Sequence, residues 1–161
     1  MSPRTEAIIH LTMSVVIMLA MSLVAYLIGG NFLADKFIFP GAHEENFTVP
    51  MLSDWEMMYQ TLVLHMGLAS TAVLLLWTML SHWGFNSSSS TDVGKRGIWA
   101  FFFVIIVALS FALPYTSNVL IDTSVSVTFL LCYGFGGYWG GSIFVTADRF
   151  KYTPLLAGFV R

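Results

Sequence analysis

The sequence predicts an all-α polytopic membrane protein, a bundle of four transmembrane helices in a single membrane domain. Of its 161 residues, 57% are hydrophobic and only 10% are charged, whereas about a quarter of the residues in a soluble domain are charged. The uncharged runs do not alternate apolar with polar residues, as the strands of a membrane barrel do. Four uncharged gaps each exceed the roughly 20 residues that a helix needs to span a bilayer, and they lie between Glu6 and Asp35, Glu56 and Asp92, Arg96 and Asp122, and Asp122 and Asp148.

The first two predicted spans cover residues 7–30 and 57–82, and an outer loop of residues 31–56 joins them. The first ends near Gly29, because glycine commonly terminates a helix. The second follows Ser53 and Glu56, whose spacing is that of a capping box at a helix start.

The third and fourth predicted spans cover residues 97–116 and 124–146. A serine-rich linker, residues 83–96, precedes the third span, and Pro114 near its far end can kink or finish a helix. The fourth span is rich in glycine, and a tail of residues 147–161 follows it.

The basic residues predict the orientation of these spans. In the four-span arrangement Lys36 stands alone on one side of the membrane. The other side carries Arg4, Lys95, Arg96, Arg149, Lys151 and Arg161. Cytoplasmic loops carry an excess of lysine and arginine, so we expect both termini and the 83–96 linker in the cytoplasm, with a bacterial inner membrane as the location.

Glycines in the fourth span predict close helix packing. They form two overlapping pairs with the spacing GxxxG, which lets helix backbones approach within a membrane. The set is Gly134, Gly136, Gly137, Gly140 and Gly141. Small residues of the second span offer a matching face, so we expect these two spans to touch: Gly67, Ser70 and Thr71. Three roles stay open, namely packing within the bundle, contact with another chain, and a broken helix lining a binding site.

Three histidines are candidate ligands. His10 begins the first span and His82 ends the second, so both lie near the cytoplasmic rim and are able to meet. Paired histidines on membrane helices can hold a haem iron, which makes haem b the one cofactor considered, and no metal-ion site is predicted. His65 lies inside the second span, where ionisable groups are functional by default. The competing interpretations are interfacial histidines for the first two and a hydrogen-bonded core histidine for His65.

The motif content predicts a protein that is not an enzyme. The sequence contains no HExxH, GxSxG, cysteine pair or phosphate loop, and its few basic residues do not suggest nucleic-acid binding. The leading interpretation is a non-catalytic subunit or accessory factor of a larger membrane assembly, such as a secretion, conjugation or envelope complex. Its partners are then the lipid bilayer and other membrane subunits, in a homo- or hetero-oligomer. The alternatives are a haem-binding redox subunit and an oligomeric channel or small transporter.

Overall fold

A computed structural model describes residues 2–29, 33, 49–84, 92–116 and 123–156. These residues contain no β-strand and are almost entirely helical, which confirms the all-α prediction. The helices are α1 (Pro3–Ile28), α2 (Val49–Met79) continued by a π-helical turn (Leu80–Gly84), α3 (Asp92–Thr116), α4 (Thr123–Phe129), a π-helical segment (Leu130–Gly140), α5 (Gly141–Val145) and a 3₁₀ turn (Asp148–Phe150).

Three of these helices are long and apolar enough to cross a membrane: Pro3–Ile28, Asp54–Gly84 and Val93–Thr116. By length and composition they indicate an integral membrane protein, as predicted. Residues 123–145 are not among them, and this stretch consists of α, π and α segments in succession. Its backbone stays helical at both junctions, with φ −64° and ψ −42° at Phe129 and φ −60° and ψ −47° at Gly140. We call residues 123–145 the composite helix.

The start of α1 is set by a cap and a proline. The Ser2 side chain accepts a hydrogen bond from the Thr5 amide at 3.2 Å, and Pro3 opens the first turn. Proline suits that position because the first amides of a helix have no intrahelical partner. The helix therefore begins at Pro3 rather than at residue 7.

The second helix also begins earlier than predicted. It starts at Val49, so residues 49–56 are helical and not part of a loop, and Ser53 lies inside the helix instead of capping it. Pro50 falls in the first turn, where its missing amide proton costs nothing. The capping-box spacing of Ser53 and Glu56 therefore does not mark the start of this helix.

The predicted linker is shortened in the same way, since α3 starts at Asp92 and residues 92–96 are helical. Pro114 does not end α3, which continues to Thr116. The remaining parts of the predicted loops and tail, 31–32, 34–48, 85–91, 117–122 and 157–161, lie outside the described residues.

Successive helices run in opposite directions, as contacts at one end of the bundle show. The amide of Ala147 donates to Ser81 Oγ at 3.3 Å, and the amide of Asp148 donates to a carboxylate oxygen of Glu6 at 3.5 Å. Lys95 Nζ lies 4.4 Å from the centre of the Phe150 ring. The starts of α1 and α3 and the ends of α2 and the composite helix thus meet here, at what we call the near end.

The core contains large aromatic side chains, several of which donate hydrogen bonds to partners within the protein. Trp77 Nε1 donates to Thr146 Oγ1 at 2.8 Å, and Trp99 Nε1 donates to Ser142 Oγ at 2.9 Å. The Tyr138 hydroxyl donates to the Trp99 carbonyl at 3.0 Å. Because a hydrocarbon layer offers no hydrogen-bond partner, buried polar atoms must find one within the protein. These bonds fix the composite helix against α2 and α3.

Candidate functional site

Two histidines from different helices meet at the near end. His10 Nδ1 lies 3.0 Å from His82 Nε2, which is hydrogen-bonding distance, and the two ring centres are 5.1 Å apart at an angle of 61°. Both side chains are half-buried. The structure therefore brings these two residues together.

A buried hydroxyl pair explains why these histidines face each other. Ser14 lies one turn after His10, and Thr78 lies one turn before His82. The oxygens of Ser14 and Thr78 are 2.9 Å apart, and both side chains are fully buried. Since residues four apart share a helix face, this contact sets the register of α1 against α2 and brings the histidines together.

Glu6 completes a cluster with the two histidines, and its participation was not predicted from the sequence. One ligand atom each from Glu6, His10 and His82 lies within 4.8 Å of the other two, and all three side chains are half-buried. The available signal was the four-residue spacing of Glu6 and His10, which places both on one face of α1. A cavity of about 380 Å³ adjoins the cluster. Its lining residues are Pro3, Arg4, Glu6, His82, Trp83, Ala147 and Asp148.

The histidine pair does not fit a haem. Two axial nitrogens would sit on opposite faces of the ring, each about 2 Å from the metal and so about 4 Å apart. The 3.0 Å separation of His10 and His82 leaves no room for a macrocycle between them. His65 cannot join them, because it precedes His82 by 17 residues on the same helix, about 25 Å along the axis.

His65 is not a core histidine, which corrects one of the two interpretations of this residue. Its side chain is exposed on the outer surface of α2, and it makes no hydrogen bond with any residue that the structure describes. Thr61, Leu68 and Ala72 are exposed on the same side of the helix. The sequence could not predict that the His65 side chain points outward, because apolar residues of α2 occur on every side of this helix.

Three of the five glycines in the composite helix face α1. A Cβ atom added at any of them would come within contact distance of an α1 side chain. The distances are 2.7 Å from Gly136 to Met21 Sδ, 2.7 Å from Gly137 to Met18 Sδ and 3.1 Å from Gly141 to Ile17 Cγ2.

The remaining two glycines point elsewhere. A Cβ at Gly134 would lie 3.8 Å from Phe103 of α3, and one at Gly140 would meet no described side chain within 4 Å. The predicted pairing of Gly136 with Gly140 therefore does not form one face. Gly137 and Gly141, which are also four residues apart, both face α1, so the second predicted pair does lie on one side of the composite helix.

The second predicted span does touch the composite helix, as expected. The Tyr133 hydroxyl donates to the Val63 carbonyl at 3.1 Å and lies 3.1 Å from Ser22 Oγ, so it connects three helices. A Cβ at Gly67 would lie 2.5 Å from Ser22 Oγ and 3.7 Å from the Tyr133 hydroxyl oxygen.

The other two small residues of the second span have different surroundings. Ser70 is fully buried, and its oxygen makes no hydrogen bond with the described residues. The Thr71 hydroxyl donates to the Gly67 carbonyl of its own helix at 2.7 Å. Gly67 therefore lies close to both α1 and the composite helix.

Two features of the described residues are chemically distinctive. One is the Glu6–His10–His82 cluster, which offers one oxygen and two nitrogen ligands. The other is His65, an ionisable side chain on the outer surface of a helix long enough to cross a membrane. No protein-family model, curated protein or solved structure matches the chain. Its function is therefore inferred from these two features.

Proposed function

We propose that this protein is a non-catalytic integral membrane subunit or accessory factor of a larger membrane assembly. The observation that carries the proposal is the exposure of His65. His65 follows Asp54 by 11 residues, about 16 Å along α2, which corresponds to the middle of a hydrocarbon layer about 30 Å thick. An ionisable side chain at that depth is costly against lipid and normally faces protein or a water-filled cavity. A partner that covers this side of α2 removes that cost.

The surface around His65 suits a helix as the partner. Thr61, His65, Leu68 and Ala72 are spaced by four, three and four residues, so they form one stripe along α2. We call this stripe the α2 outer face. It combines a polar group with small and apolar ones, which is the composition of helix contacts in membranes. The occupant we propose is a membrane-spanning helix of another subunit, either a second copy or a different chain, that hydrogen bonds to the imidazole.

A four-span topology belongs to the same proposal. The composite helix has 23 residues and runs from the far side of the bundle to the near end, where Ala147 contacts Ser81. That length is enough for a helix to cross a bilayer. With four crossings, both termini lie on one side, and the basic residues favour the cytoplasmic side of a bacterial inner membrane. Secretion, conjugation and envelope complexes are assemblies of this kind.

Site-specific photocrosslinking in native membranes tests the proposal. A photoreactive amino acid is placed at Leu68 on the α2 outer face, or at Val104 on α3 as the matched control. The two side chains are comparable in exposure, at 62% and 60%. We expect a discrete protein adduct from position 68 and only lipid adducts from position 104.

The role of His65 is tested in the same experiment. Interhelical hydrogen bonds in membranes contribute about 0.6 to 1.7 kcal/mol, so His65→Ala should weaken partner binding by about 3- to 18-fold and lower the adduct yield from position 68. Lipid adducts alone at position 68, or an adduct yield that His65→Ala does not change, would contradict the proposal.

A further inference from the structure

We propose that Glu6, His10 and His82 form a binding site for a divalent first-row transition-metal ion, with Zn²⁺ the ion that suits these ligands best. The site lies at the near end of the bundle, about 25 Å along α2 from His65. It is therefore independent of the proposed partner surface, and either inference stands without the other.

The ligand types are those that Zn²⁺ takes in proteins. Imidazole nitrogen and carboxylate oxygen both bind this ion at about 2.0–2.2 Å, and three protein ligands with one open position are a common arrangement. Imidazoles also suit other first-row divalent ions such as Co²⁺ and Ni²⁺. The cluster contains no thiolate, so it is not a closed structural site of the four-cysteine type.

The distances are close to those of a formed site. Tetrahedral bonds of this length place ligand atoms about 3.3 Å from one another. The His10 and His82 nitrogens are already 3.0 Å apart, and the Glu6 oxygen lies within 4.8 Å of both. Small side-chain rotations at this half-buried location bring all three atoms onto one ion. Each imidazole binds in its neutral form and keeps its single proton on the nitrogen that faces away from the metal.

The surroundings provide access and a compatible charge. The adjoining cavity of about 380 Å³ is large enough to admit water, which fills the open coordination position. Two carboxylates, Glu6 and Asp148, and one cation, Arg4, line this cavity. The Glu6 carboxylate, which belongs to the cluster itself, supplies a negative charge that favours a divalent cation.

A bound ion would connect three parts of the chain. Glu6 lies in the first turn of α1, and His82 lies in the π turn that ends α2. Glu6 also accepts a hydrogen bond from the amide of Asp148, just after the composite helix. The ion would thus hold these three parts of the chain together at the near end of the bundle.

Metal titration of the full chain in detergent tests this inference. The protein carries a purification tag without histidine or cysteine, is stripped with a chelator, and is titrated with Zn²⁺ by calorimetry and with Co²⁺ by visible absorption. We expect one ion per chain and the intense d–d bands of a low-symmetry Co²⁺ site. Loss even of an outer-shell partner weakens metal binding 10- to 100-fold, so His10→Ala and His82→Ala should weaken it by about 100-fold or more and Glu6→Gln by at least about tenfold.

His65→Ala is the matched control, because it removes a histidine of the same α2 helix that lies outside the cluster. It should bind both ions as the wild type does, and Zn²⁺ should raise its unfolding temperature equally. Circular dichroism of the metal-free proteins checks that each variant is folded. The inference is overturned if the wild type binds no stoichiometric Zn²⁺, if the three cluster variants bind like the wild type, or if His65→Ala removes binding.

Discussion

Single polar atoms hold these apolar helices in register. Tyr133 is the clearest case, since its hydroxyl lies between the Val63 carbonyl of α2 and Ser22 of α1 while its ring is fully buried in the core. Apolar contacts alone distinguish helices poorly from lipid, because lipid tails are as apolar as leucine. Residues of this kind therefore define which helix faces which.

Removing the Tyr133 hydroxyl should destabilise the bundle by a small, measurable amount. We expect Tyr133→Phe to lower the free energy of unfolding in mixed micelles by about 0.6 to 1.7 kcal/mol, the range for interhelical hydrogen bonds in membranes. The control is Tyr152→Phe, at an exposed tyrosine after the composite helix, which should change stability by less than about 0.5 kcal/mol. Equal effects of the two variants would show that the three-helix contact contributes nothing.

Gly29 is a position where even a methyl group does not fit. A Cβ there would overlap the Tyr59 ring, which is buried and whose hydroxyl donates to the Ala25 carbonyl at 2.6 Å. An aromatic ring cannot bend away as a methionine can, so Gly29→Ala should cost about 1–3 kcal/mol through overpacking. Gly97→Ala is the control, because a Cβ at Gly97 has no neighbour within 4 Å. That substitution should be neutral or stabilise α3 by up to about 1 kcal/mol, as unfolding titrations of both variants would show.

At the scale of the elements, the sequence predicted where helices lie better than where they begin. Long uncharged runs locate the helices because a hydrocarbon layer excludes charge. The start of α2 was placed too late because Ser53 and Glu56 match a capping box, whereas Pro50 marks the first turn. The π-helical segment was not predictable at all, since helix propensities describe α geometry and say nothing of wider turns.

The candidate site was predictable to a similar extent. Chain positions alone placed His10 and His82 at one rim of the membrane, because each lies at the end of an uncharged run. The participation of Glu6 depends on the rotation of α1 about its axis, which the Ser14–Thr78 contact sets. The packing of a helix decides its rotation about its own axis. Because α1 is apolar on every side, its sequence does not show which side faces the bundle.

Two hydroxyls hold the five-residue helix α5, one within it and one directly after it. When both are substituted, we expect the change in the free energy of unfolding to differ from the sum of the two single effects. Ser142 Oγ accepts from Trp99 and Thr146 Oγ1 accepts from Trp77, while the Thr146 hydroxyl also donates to the Ser142 carbonyl. Ser142→Ala and Thr146→Val should each cost about 1–3 kcal/mol, because each removes a hydroxyl that accepts a hydrogen bond from a buried indole N–H. Residues in one hydrogen-bond network typically couple by about 0.5–3 kcal/mol.

A double-mutant cycle measures that coupling. The free energies of unfolding of the two single variants and the double variant are compared in the same detergent. Thr12→Val is the control, since the exposed Thr12 hydroxyl bonds only to the Ile8 carbonyl of its own helix. If the two single effects at α5 simply add, the two hydroxyls act separately and α5 is not held as a unit.

For the whole molecule, the contacts at the near end bring four helix ends to one side of the bundle. The amide of Ala147 donates to Ser81 and the amide of Asp148 donates to Glu6 there, and Lys95 contacts Phe150 at the same end. The chain leaves this end in α1 and α3 and returns to it in α2 and the composite helix. If every helix crosses the bilayer, residues 2, 88 and 152 share one side of the membrane.

Cysteine accessibility in inverted and right-side-out vesicles tests that topology. The native Cys132 is buried and is replaced by alanine, and single cysteines are then introduced as Ser2→Cys, Ser88→Cys, Tyr152→Cys and Ser117→Cys. We expect a membrane-impermeant maleimide to label the first three only from the cytoplasmic side, and the fourth only from the opposite side, since α3 carries the chain across between residues 88 and 117. If Tyr152→Cys is labelled from the side opposite to Ser2→Cys, the chain crosses the bilayer an odd number of times between these two positions. With the other three helices crossing as expected, the composite helix would then not span the bilayer.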